Sequence, residues 1–116
     1  SAVMQRFVVL LLTFSAFTAA CGQLLLKYGA QGRNDLVSFF NPFLIAGLVL
    51  YLVATLIWIY VLSFEKLTNV YAFTALTFVL VYIGGVMLLG EKISVAAGVG
   101  VVAILFGLYL ISQHNA

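Results

Sequence analysis

The sequence predicts an all-α polytopic membrane protein, an antiparallel bundle of four transmembrane helices. Of its 116 residues, 66% are hydrophobic and 7% charged, against roughly 45–50% and about 25% in an ordinary soluble domain. The eight charged side chains (Arg6, Lys27, Arg33, Asp35, Glu65, Lys66, Glu91, Lys92) punctuate four uncharged stretches. Each stretch holds about 20 residues, the number needed at about 1.5 Å rise per residue to cross a hydrocarbon core of about 30 Å. Uncharged runs of that length without period-2 alternation are about twice what a barrel strand requires.

The first span is expected over 7–26, closed by Lys27. It lacks a small-residue cleavage site and reads as a retained span rather than a removable signal. Residues 29–41 are long and polar enough to form a loop. The second span, 43–64, opens at Asn41-Pro42, where proline suits a first turn that needs no N–H, and closes at Glu65-Lys66. The third, 68–89, has Thr68 or Asn69 placed to cap it, and the fourth, 93–111, has Ser94. Gly90-Glu91-Lys92 leaves room for a tight turn alone. With no internal repeat and no low-complexity linker, residues 1–116 read as a single membrane domain.

Arg6 and Lys66 flank one side of the membrane; Lys27, Arg33 and Lys92 flank the other. Orientation follows that balance, which favours the Lys27 side as cytoplasmic by one residue and leaves insertion both ways open. Five dispersed basic residues give no footing for a phosphate backbone, so nucleic acid is not an expected partner. Cys21 inside an apolar run reads as a small buried hydrophobe, and His114 stands alone near the C-terminal end. No metal site, cofactor motif or catalytic constellation is legible, and the chain is not read as an enzyme.

Polar residues at membrane depth are costly and ask for a reason. Ser15, Ala19, Gln23 and Lys27 recur every four residues and share one helix face, a stripe suited to lining a hydrated groove. The alternative is that Ser15 bonds within its own helix, Gln23 bridges to a neighbour and Lys27 snorkels to the headgroups. Tyr51, Thr55 and Trp58 share a face of the second span. Tyr71, Ala75, Phe78 and Tyr82 share one of the third, with Thr74 and Thr77 beside them. Trp58, Tyr71 and Thr74 are the candidates for ligand contact here; packing and interfacial anchoring account for most of the other aromatics. Glu91 falls on the membrane side of Lys27, as its ion-pair partner, a gate, part of a site that reads both charges of a zwitterionic headgroup, or a solvated turn residue paired with Lys92. Gly100 and Gly107 place two small surfaces on one face of the fourth span, a seam for close helix approach in lipid.

CGQLLLK (21–27), WIYVLSFEKLTNVYAF (58–73), LTFVLVYIGGVMLLGEKIS (76–94) and the spaced glycines of the last span resemble the small four-span members of the drug/metabolite transporter superfamily. The best match is to the aminoarabinose-phosphoundecaprenol flippase subunits. Gly22, Gln23, Leu24 and Lys27 match a G-Q-L-x-x-K pattern, Tyr71 a tyrosine opening span three, and Glu91 with Ser94 an E-x-x-S. Small multidrug resistance exporters are the nearest alternative, but where they carry a membrane-embedded Glu in span one this chain has Ala19. Ala72 and Thr77 stand where the flippase pattern has Pro and Asn. The resemblance implies a transporter of the bacterial inner membrane that translocates an undecaprenyl-phosphate-linked sugar; Lys27, a compact cation at the end of the Ser15–Ala19–Gln23 stripe, is then the expected holder of the lipid phosphate. The resemblance also implies a dimer with itself or a similar four-span subunit, packed at Gly100 and Gly107. The competing expectations are an exporter of small cationic or amphipathic compounds and a non-transporting accessory subunit.

Overall fold

The computed structural model describes residues 2–32 and 34–114, with the backbone alone for 2–5 and 112–114. Arg33, counted in the charge balance, and the His114 side chain lie outside the described residues. Four helices follow in order: α1 (Ala2–Ala30), α2 (Pro42–Leu62), α3 (Leu67–Leu88) and α4 (Val95–His114). A short 3-10 helix, Val37–Phe39, interrupts the α1–α2 connection. Three stretches, Arg6–Ala30, Pro42–Leu62 and Leu67–Leu88, are long and apolar enough to cross a membrane; Val95–Ile111 is a shorter apolar helix. The chain is a multi-pass membrane protein of all-helical fold.

The helix ends follow local chemistry. Asn41 is the N-cap of α2, its Oδ1 accepting from the Phe43 and Leu44 N–H groups (both 3.1 Å), with Pro42 in the first turn. The Asn41 Nδ2 donates to the carbonyls of Gly29 and Ser38 (both 3.1 Å), tying the end of α1 to the start of α2. Ser94 Oγ accepts from the Ala97 N–H (3.1 Å), so Ser94 caps α4 as expected. The expected cap of α3 is corrected: that helix begins at Leu67 behind Lys66, which caps with no side-chain bond, and Thr68 and Asn69 lie inside its first turn. Helix α1 runs to Ala30, which puts Lys27 in its last turn, where a cation meets the negative end of the helix dipole. Gly90 turns the chain between α3 and α4 at φ 71°, a left-handed conformation that a Cβ disfavours.

The helices form an open layer, 50 × 35 × 17 Å in extent, in the spatial order α2–α1–α3–α4, with α1 packed on both α2 and α3. Helices α1 and α2 meet along a seam of small residues. A Cβ on Gly22 would sit 2.9 Å from the Gly47 carbonyl oxygen, and one on Gly47 would sit 2.9 Å from the Gly22 carbonyl. Seven residues away on each helix, running in opposite directions, the buried Ser15 Oγ donates to the Ala54 carbonyl at 2.9 Å. On the other flank of α1, Leu24 fills the space over Gly84 of α3. Helices α2 and α3 come together near their connecting turn, where Val61 and Val70, both fully buried, join Val8 and Leu12 in the core. Away from that turn the two helices diverge, and α1 floors the space between them. Large apolar side chains elsewhere face outward (Leu10 69% exposed, Met87 76%, Val95 86%), as lipid contact permits. Cys21, expected as a buried hydrophobe, is exposed instead.

Candidate functional site

The diverging helices enclose a cavity of about 660 Å3, within the roughly 300–1,000 Å3 that small-molecule sites occupy. Its floor is the α1 stripe of Ser15, Ala19 and Gln23. One wall is the face of α2 carrying Tyr51, Thr55 and Trp58. Tyr71, Thr74, Thr77 and Phe78 of α3 form the other. Tyr51, Tyr71, Thr74 and Phe78 are also exposed to the outside, so the cavity is a groove with open flanks. Trp58 and Phe73 pack on the Val8–Leu12–Val61–Val70 cluster and close its deep end.

Of the seven ligand-contact residues expected from sequence, the groove gathers five: Ser15, Gln23, Trp58, Tyr71 and Thr74. Lys27 is outside the lining and exposed. It lies on the same face one helical turn beyond Gln23, about 6 Å further along the axis. Glu91 is likewise exposed and outside the lining. Its carboxylate folds back over Gly85 of α3, while its N–H donates to the Gly85 carbonyl at 3.1 Å. Because α1 and α3 are parallel and Leu24 is level with Gly84, Lys27 and Glu91 stand at the same end of the bundle, and no ion pair joins them among the described residues. Among the described residues, a Cβ on Gly100 or Gly107 would meet nothing within 4 Å, so neither glycine marks a close approach within the chain.

Three of the polar lining residues have a defined hydrogen-bonding state. Ser15 donates to Ala54, Thr55 Oγ1 to the Tyr51 carbonyl at 2.9 Å and Thr77 Oγ1 to the Phe73 carbonyl at 3.4 Å. Their protons are spent on backbone oxygens, so what remains toward the groove is acceptor capacity. The Gln23 amide has no hydrogen-bond partner among the described residues. The reading in which Ser15 bonds within its own helix is overturned, because its acceptor lies on α2.

Thr55, Thr77 and Tyr51, which the sequence places on polar and aromatic faces without marking them as site residues, also line the groove. The available signal was hydroxyl groups recurring at helical spacing on two otherwise apolar spans. The close approach at Gly22 and Gly47 has its sequence signal in the seven-residue spacing of Ser15, Gly22 and Gly29 and of Gly47 and Ala54.

No family model and no solved structure matches the chain. Among curated proteins it is 35% identical over 83 residues to the probable 4-amino-4-deoxy-L-arabinose-phosphoundecaprenol flippase subunit ArnF of Photorhabdus laumondii subsp. laumondii. That alignment covers 70% of this chain and 62% of the relative, so the chain spans under two thirds of the relative's length. The resemblance carried by the sequence motifs is therefore borne out at the level of an alignment: the chain is similar to an aminoarabinose-phosphoundecaprenol flippase subunit.

Proposed function

We propose that the protein is a flippase subunit of the bacterial inner membrane that translocates an undecaprenyl-phosphate-linked sugar. The observation that carries this reading is the groove between α2 and α3, mostly apolar but with Ser15, Gln23, Thr55, Thr74 and Thr77 in its lining, and with one lysine a turn beyond its Gln23 end. A lipid-linked sugar has three chemically distinct parts, and the fold offers a place for each. The polyprenyl tail stays in lipid and passes through the gap where α2 and α3 diverge. The sugar takes the groove, where hydroxyl acceptors and the Gln23 amide replace water. The phosphate meets Lys27, whose compact ammonium acts more strongly in a partly dehydrated setting than at an open surface.

The groove supports cation export less well, because Ala19 lines its floor where the multidrug exporters place their carboxylate. Four helices in one open layer leave the groove flanks uncovered, which fits work as a dimer with a second four-span subunit. Gly100 and Gly107, facing open space on α4, are the proposed contact; cysteine crosslinking along α4 in native membranes tests it, and a chain that stays monomeric while active excludes it.

The direct test is transport of lipid-linked sugars in reconstituted vesicles. Lys27→Met keeps the apolar stem and removes the charge, so translocation falls at least tenfold while insertion and expression hold. Lys27→Arg restores part of the rate, since the charge returns with different geometry. Parental transport by Lys27→Met would reduce Lys27 to a membrane anchor and remove the phosphate step from the mechanism.

A further inference from the structure

We infer that residues 36–40, in the connection between α1 and α2, form an interfacial anchor that lies in the headgroup region of the bilayer the chain spans, with Leu36, Val37 and Phe40 dipped into its acyl border. The partner is the lipid surface itself, whatever the groove carries. The connections between helices differ in composition. Those after α2 and α3 carry Glu65-Lys66 and Glu91-Lys92. The α1–α2 connection places its polar residues first, from Gln31 to Asp35, and then runs through Leu36, Val37, Ser38, Phe39 and Phe40 to the cap of α2. Leu36, Val37 and Phe40 are 82%, 78% and 82% exposed. Large apolar side chains gathered so closely and left uncovered call for a partner.

Depth and backbone chemistry both make that partner lipid. Helix α2 has 21 residues, at about 1.5 Å each just enough to cross a hydrocarbon core of about 30 Å, so Pro42 stands at the edge of the core. Tyr28 and Phe43 meet edge to face at that level, their ring centroids 4.7 Å apart, where interfacial aromatics gather. The Asn41 amide bonds to the carbonyls of both Gly29 and Ser38, which holds residues 36–40 against the two helix ends instead of letting them reach into water. Within the segment, the Ser38 N–H donates to Asp35 Oδ1 at 3.1 Å and Ser38 Oγ to the Asp35 carbonyl at 2.9 Å. The Phe39 and Phe40 N–H groups donate to the Leu36 and Val37 carbonyls at 3.3 and 3.0 Å. The N–H groups of 38–40 and the carbonyls of 35–38 are thus all paired inside the connection, so it sheds water without orphaning a backbone group. Polar residues on one side and bare apolar ones on the other are what an element lying in the interface requires. Anchored there, it fixes the depth of the last turn of α1, which carries Lys27.

The test is depth, measured residue by residue. In a Cys21→Ala background, Leu36→Cys, Val37→Cys, Phe40→Cys and, as the water-side reference, Asn34→Cys are each labelled with a nitroxide in the full-length protein in lipid nanodiscs. Collision of the label with oxygen, which concentrates in lipid, is compared with collision with a water-soluble nickel chelate. All four positions are exposed, so the labels displace no packed side chain. At 36, 37 and 40 oxygen collisions should exceed nickel collisions several-fold, as for side chains roughly 5–10 Å inside the headgroup/acyl boundary; at 34 the order should reverse. Nickel collisions at 36, 37 and 40 matching those at 34 would put the segment in water and overturn the inference. Loss of both kinds of collision would mean that protein rather than lipid covers it, which overturns the inference equally.

Discussion

Helix α2 has two neighbours in sequence, and it treats them differently. Against α1 it packs so closely that the Gly22 and Gly47 backbones leave no room for a methyl group. From α3 it diverges, and a cavity of about 660 Å3 opens between them. The side chains explain the contrast. The α1–α2 seam sets Ser15 against Ala54, Gly22 against Gly47 and Gly29 against the Leu44 backbone, and small residues are what allow helices to associate in lipid, where apolar side chains gain nothing by leaving one solvent for another. The facing positions of α2 and α3 are Tyr51, Thr55 and Trp58 against Tyr71, Thr74 and Phe78, too bulky for the backbones to approach. A groove in such a protein is therefore placed by where small residues are withheld as much as by where polar ones are supplied.

The strongest way to break that contrast is to enlarge the seam. Gly22→Ala and Gly47→Ala each place a Cβ against a backbone carbonyl that has no means of yielding, and each should destabilise the fold by about 1–3 kcal/mol, despite a gain in helix propensity of up to about 1 kcal/mol. Gly100→Ala and Gly107→Ala meet open space and should leave the stability of the single chain unchanged or slightly raised. Reversible unfolding in bicelles measures all four. Equal effects at the two pairs would mean that the seam is no tighter than the free face of α4.

The second break is at the seam's end. Asn41 makes four hydrogen bonds, two capping α2 and two reaching the Gly29 and Ser38 carbonyls. Asn41→Ala loses a helix cap worth about 1 kcal/mol and the bridge to α1, for a total of about 2 kcal/mol. Asn41→Asp keeps the acceptor and should recover the capping half alone. Unfolding midpoints combined with amide exchange over 29–44 separate the two halves, since loss of the cap frees the Phe43 and Leu44 N–H groups while loss of the bridge loosens the last turn of α1.

How far the sequence reveals this molecule differs between its levels. The helices are legible because span length and charge punctuation are set by the bilayer, and Asn41-Pro42 and Ser94 mark helix starts by local chemistry alone. The cap of α3 is not legible, because Lys66 takes that position with no side-chain bond for the residue type to signal. Five groove residues follow from polar atoms at helical spacing, since period places them on a face whatever that face meets. Which faces meet is a different matter. Ser15 finds its acceptor on α2, and nothing in the order of residues on α1 specifies that partner. Glu91 shares an end of the bundle with Lys27, as parallel spans require, but its direction is set by the turn at Gly90 and the bare backbone at Gly85.

The finest test separates seam from groove in two hydroxyls that line the same cavity. Ser15 bonds across to α2 at 2.9 Å, whereas Thr77 bonds within its own helix at 3.4 Å. Side-chain hydrogen bonds between membrane helices average about 0.6 kcal/mol, so Ser15→Ala should cost roughly that much stability. Thr77→Val preserves volume and removes a long bond that crosses no interface, and its stability should stay within about 0.5 kcal/mol of the parent. For sugar binding the order reverses. The Thr77 oxygen lies on an open wall, and replacing it with a methyl group removes an acceptor worth about 1 kcal/mol, or about fivefold in affinity. Ser15 is buried on the floor (6% exposed) and has less of its oxygen to offer, so Ser15→Ala should weaken binding by a smaller factor. Unfolding in bicelles and titration of Trp58 fluorescence give the two readouts on the same samples. If Ser15→Ala loses more affinity than Thr77→Val while leaving stability untouched, the Ser15 hydroxyl belongs to the groove rather than the seam, and α1 and α2 are held by their glycines alone.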